Sequence, residues 1–214
     1  MTYPQYMKKS FLPVAWLLLS LLFAPASQAD TPVQQLQAFL KNAQSLTADF
    51  KQVLLSENGQ PKQTSYGLFY LQRPGKFRWD YQRPFQQQII SNGGKVWFYD
   101  TDLAQVTVKK LDESVGSTPA LLLSGNVSLE ENYVMENQGV DGSLEWIKLL
   151  PKNQQSSFKY VLIGLENSQL AGMELSDNFG QLTRIYFSNL KVNPPLKATL
   201  FDFQAPENAD VFSE

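Results

Sequence analysis

From Leu46 to Pro206 nearly every apolar stretch of the chain reads as β-strand, and a fold for this sequence has to accommodate that first. "LTADFKQVLLSENGQ", "KQTSYGLFYLQ", "KFRWDY", "FQQQIISNGGKVWFYDT" and "AQVTVKKL" are β-branched and aromatic runs. They are divided by Asn58-Gly59, Pro74-Gly75 and Asn92-Gly93, pairs that favour tight hairpins. A second set follows in "YVMENQG", "SLEWIKLLPK", "FKYVLIGLEN", "LAGMELSDNFG", "LTRIYFSNLKVN" and "LFDFQAP". Connections this short imply an antiparallel meander of about eleven strands.

Helical signals are few. In "DTPVQQLQAFLKNAQSL", Thr31 can cap and Pro32 takes the first helical position. Val33, Leu36, Phe39, Leu40, Ala43 and Leu46 then recur at three- and four-residue spacing as one apolar stripe. In "GSTPALLLSGNVSLEENYV", Thr118 and Pro119 open a short aliphatic helix through Leu121, Leu122 and Leu123, and Ser128 with Glu131 fits a capping box. Two such segments cannot cover the apolar face of so many strands as a packed core. Either the sheet closes into a barrel, or it curls into an incomplete one with the helices as a lid over a hydrophobic cavity. The expected class is mainly β, with the closed and the incomplete barrel both open at this point.

Within this sheet "LQRPGKFRWDY" sets Phe77, Trp79 and Tyr81 on one face of a strand and Lys76, Arg78 and Asp80 on the other. An aromatic row of this kind is either plain core or the lining of a site, and the shortage of covering helices favours a lining. Arg73 stands just before the Pro74-Gly75 turn, and two registers are open for it. A two-residue hairpin pairs Gln72 with Phe77 and turns Arg73 away from the aromatic face; a three-residue loop brings it back.

The first 29 residues stand apart. Lys8 and Lys9 precede an apolar run from Phe11 to Phe23, and Ser27-Gln28-Ala29 offers small residues where an export peptidase cuts. The run is about 13 residues long, short of the roughly 20 that span a bilayer. A cleaved secretory signal peptide over residues 1–29 is expected, followed by one domain over 30–214. There is no cysteine, hence no disulfide, no thiolate metal site and no residue to carry lipid after the signal.

Composition narrows the chemistry further. With no histidine in the chain there is no imidazole base, no His-ligated zinc and no Ser-His-Asp arrangement. The acidic residues Asp49, Glu57, Asp80, Asp100, Asp112 and Glu113 are scattered through turns and polar strand faces rather than paired. Neither an enzyme, a cofactor nor a metal is expected. Once Lys8 and Lys9 are removed from the 18 basic residues, 16 remain against 20 acidic ones, a net charge of −4 that argues against nucleic acid as a partner.

Four strings in order, "RPGKFRW" at 73–79, "SNGGKVWFYD" at 91–100, "GSTPALLL" at 116–123 and "FDFQAP" at 201–206, resemble the LolA-type periplasmic carriers of outer-membrane lipoproteins. "LTADFKQ" at 46–52 precedes them at matching spacing, so the resemblance spans nearly the whole chain after the signal. It implies eleven antiparallel strands in an incomplete barrel and a helical lid over a cavity that takes acyl chains.

The cavity lining implied is Phe77, Trp79, Tyr81, Leu68, Tyr70, Phe98, Leu121 and Leu122. Arg73 corresponds to an arginine that hydrogen-bonds the lid, here through carbonyls of the first helix and of the segment at Leu123 and Ser124. The partners implied are outer-membrane lipoproteins, the inner-membrane ABC transporter that releases them and the outer-membrane receptor that accepts them, with the carrier itself a monomer. A periplasmic lipid-sensing or regulatory binding protein of the same fold is the alternative, although such proteins usually carry a further domain.

Overall fold

The computed structural model describes residues 1–2, 29–111, 119–125, 128–154 and 156–213. The segment read as a signal peptide lies, but for its ends, outside these residues, as do Thr118, Asp112 and Glu113. The chain enters through helix α1 (Pro32–Asn42), where Thr31 and Gln34 form a capping box around Pro32. Its buried residues are Leu36 and Phe39. The helix is shorter than the apolar stripe: Ala43 is its C-terminal cap, and Leu46 already belongs to the first strand.

Six strands follow: β1 (Ser45–Leu55), β2 (Pro61–Gln72), β3 (Lys76–Arg83), β4 (Gln87–Asn92), β5 (Lys95–Asp100) and β6 (Gln105–Lys110). The short helices α2 (Pro119–Leu123) and α3 (Leu129–Asn132) interrupt them, Ser128 capping α3 by accepting from Glu131 N–H. Then come β7 (Tyr133–Asp141), β8 (Leu144–Pro151), β9 (Phe158–Glu166), β10 (Gln169–Asp177) and β11 (Leu182–Val192). These eleven pair antiparallel, with sequence neighbours adjacent within β1–β6 and within β7–β11, and β1 joins the two halves by pairing with β11. The result is an open, curled sheet, an incomplete barrel whose inner face carries the core.

The C-terminal segment departs from the sequence reading. "LFDFQAP" is not a strand: Leu200 and Phe201 end a 3-10 turn (Ala198–Phe201), and the chain then runs irregularly to β12 (Asp210–Ser213), which pairs parallel with β6. The reason is topological. β11 already has β1 on one side and β10 on the other, so the chain leaving it has no free edge beside it. It crosses the outer face instead, burying Phe201 and setting Phe203 against Trp97 and Tyr99 at ring separations of 5.9 and 5.7 Å.

A lidded apolar interior as the candidate functional site

Strand parity decides which residues face inward. Phe69 pairs with Trp79 and Leu71 with Phe77, and directly opposed residues share a face. Phe69, Leu71, Phe77 and Trp79 are all buried. Around Trp79 the rings of Phe50 and Phe69 sit at 4.9 and 4.7 Å, and Tyr81 meets Phe50 edge-on at 5.1 Å. Gly67 makes room for this cluster, because a Cβ there would lie 2.8 Å from the Phe50 ring and still closer to the Asp80 carbonyl.

Leu68 and Tyr70 are corrected by the same parity. They alternate with Phe69 and Leu71 and face outward, lining an open surface depression with Asp49, Asn189 and Lys191. Burial and the neighbouring Asp80 push the Tyr70 phenol up. On β5, Phe98 packs against the core, whereas Trp97 and Tyr99 lie under Phe203 on the outer face.

The helices fill the curl. Ala120, Leu121, Leu122 and Leu123 are all buried in one cluster with Leu36, Phe39, Phe77 and Trp79. The space expected beneath the lid is thus occupied by the lid's own aliphatic side chains. At one end a cavity of about 580 Å³ is bounded by Tyr81, Ile89, Phe158 and Leu175 together with polar residues such as Gln52 and Thr183. Burial drives the Tyr81 phenol far above its usual range, against the lowering effect of its 3.0 Å hydrogen bond to Gln52. Three hairpin tips carry exposed apolar side chains: Phe85 between β3 and β4 (62% exposed), Leu103 between β5 and β6 (65%) and Phe179 between β10 and β11 (86%). Of these, Phe179 lines the same cavity as Tyr81.

Arg73 stands at the opposite end. The β2–β3 loop has three residues, since Gln72 pairs with Lys76, and this register turns Arg73 toward the lid. Its Nε and Nη2 donate to the Leu123 carbonyl at 3.1 and 2.8 Å, and its Nη1 donates to the Leu40 carbonyl. Both acceptors lie in the last turns of helices, where carbonyls lack intrahelical partners and a planar fork of donors suits them. Ser124 contributes through its carbonyl, which accepts from Gly75 N–H at 3.0 Å. Burial lowers the Arg73 pKa from its usual value, and among the described residues no carboxylate pairs with it. Gly125, at φ +77°, lets the side chain pass: a Cβ there would sit 3.1 Å from Arg73 Cδ. Sequence reasoning did not single out Gly125, although a glycine directly after "LLLS" was a readable signal for a helix C-terminus.

Fold and site together define a binding protein with an apolar interior, closed by a lid held through a handful of hydrogen bonds. A family model described as "Outer membrane lipoprotein carrier protein LolA" matches residues 41–204. An outer-membrane lipoprotein carrier protein of Methylococcus capsulatus is 60% identical over 190 residues, 88% of this chain and 91% of that one. One of Nitrosospira multiformis is 44% identical over 198 residues, 92% and 95% of the respective chains. The chain belongs to the outer-membrane lipoprotein carrier family. In fold alone it also resembles the solved structure of an uncharacterized conserved protein from Thermus thermophilus, with a TM-score of 0.57 at 12% identity over 86% of this chain and 100% of that one.

Proposed function

We propose that this protein is a periplasmic lipoprotein chaperone rather than an enzyme. It is exported by the signal peptide at residues 1–29, takes lipoproteins by their acyl chains from a releasing ABC transporter in the inner membrane, and yields them to a receptor at the outer membrane. The observation that carries this reading is the pairing of an aromatic inner sheet face with an aliphatic lid held by Arg73. Among the described residues no helix is long and apolar enough to cross a membrane.

The physical need is large. Each buried methylene contributes ~0.8 kcal/mol to anchoring, so three acyl chains hold a lipoprotein with on the order of 30 kcal/mol. A carrier has to present a comparable apolar surface when loaded and hide it when empty. Phe77, Trp79, Tyr81 and Phe98 supply the sheet side of that surface, Leu121 and Leu122 the lid side, and Arg73 the latch with Leu123 and Ser124. Direction along the route needs only tighter binding by the receiver than by the carrier.

The test is displacement of an environment-sensitive apolar dye from the purified protein lacking residues 1–29 by a synthetic triacylated lipopeptide. Saturable displacement, with no effect of the unacylated peptide, is expected. A protein that binds neither dye nor lipopeptide is not an acyl carrier.

A further inference from the structure

The aromatic interior contains one donor without an acceptor. Trp79 is 1% exposed, and its Nε1–H has no hydrogen-bond partner among the described residues. A buried indole N–H almost always finds an acceptor, because leaving it unpaired costs the full desolvation of the group. Its ring neighbours are Phe50, Phe69, Phe187 at 6.2 Å and Tyr81 at 6.5 Å, whose faces are weak acceptors. The other buried side-chain atom without a partner among the described residues, Gln72 Oε1, is itself an acceptor and belongs to the residue beside the β2–β3 loop.

A phenylalanine would satisfy this apolar cluster without the unpaired donor, so the indole is explained by something the closed form does not contain. Its place indicates what. Tyr81, one ring away, lines the open cavity, and the lid leucines pack in the same cluster as Trp79. A chain entering from the open end and displacing the lid passes Trp79. The head of a natural acyl chain carries a carbonyl that also loses water on entry and needs a donor. We propose that Trp79 is a specificity residue, its Nε1–H donating to an ester carbonyl of the bound acylglyceryl group, so that the protein distinguishes ester-linked chains from plain alkyl chains. This rests on the acyl-carrier reading and adds to it a polar contact inside an apolar site.

The experiment compares two probes on the protein lacking residues 1–29: a dipalmitoyl-glyceryl cysteine peptide and its dialkyl ether counterpart, which keeps chain length and lacks the carbonyls. Dye displacement gives both affinities for wild type and for Trp79→Phe. Wild type is expected to prefer the ester probe by about fivefold; in Trp79→Phe, whose smaller ring alters the binding of both probes together, that ratio should fall to about one. In parallel, the Trp79 indole N–H resonance of wild type should move downfield with the ester probe and not with the ether. That measurement keeps the inference testable even if Trp79→Phe folds poorly. Equal binding of both probes by wild type, or an ester preference retained by Trp79→Phe, overturns the role of Trp79 while leaving the carrier intact. Binding of neither probe overturns the carrier reading itself.

Discussion

The proposed latch can be tested at two residues. Arg73 makes three hydrogen bonds to two helix ends, and removing a charged hydrogen-bonding group costs about 1.5–3 kcal/mol. That is enough to change the open-to-closed ratio by about tenfold or more. Arg73→Leu is therefore expected to load lipoprotein yet fail to pass it on, since the open form then binds too well for a receiver to compete. Arg73→Lys, with charge but no fork, should fall between. Loading and hand-off measured side by side are the check; equal loss of both would indicate misfolding, and normal hand-off by Arg73→Leu would leave Arg73 as an ordinary loop residue. Gly125 tests the same latch without touching the arginine. Gly125→Ala combines a positive φ with a Cβ 3.1 Å from Arg73 Cδ, a strain of about 1–2 kcal/mol. The empty variant should bind more apolar dye than wild type while its sheet melts as one unit; unchanged dye binding would show that Arg73 does not limit opening.

The C-terminal crossing segment is the element that the sequence concealed most completely. Phe201 and Phe203 alternate as a strand would, yet no sheet edge adjoins β11, and pairing depends on that neighbour rather than on the residues themselves. β12 has only four residues and meets β6 only because the crossing ends there. Parity in "GLFYL" was equally hidden, because both faces of β2 are apolar at that point; only the opposition of Phe69 to Trp79 excludes Leu68 and Tyr70 from the interior. By contrast, β3 was legible because its two faces differ in chemistry, and α1 because its cap and Pro32 are local signals. Phe203→Ala should lower stability to urea by about 1–2 kcal/mol through the exposed Trp97 and Tyr99 rings, with dye binding unchanged. A variant that loses dye binding at wild-type stability would mean that the outer face communicates with the interior.

For the whole molecule, loading should separate lid from sheet. The Gly75 amide, bonded to the Ser124 carbonyl, reports the lid, whereas the amides of the β2–β3 ladder around Phe69 and Trp79 report the sheet. Hydrogen exchange with and without lipopeptide should show Gly75 and α2 losing protection while the ladder keeps it. Loss in both would mean that the sheet itself unravels to admit cargo. The route of the chain adds a further constraint. β6 and β7 lie toward opposite margins of the curled sheet, and the lid helices α2 and α3 are part of the single connection between them. The sheet is the limb of a bow and the lid lies along its string: the four buried lid residues sit on the one covalent path that runs from margin to margin of the twelve strands.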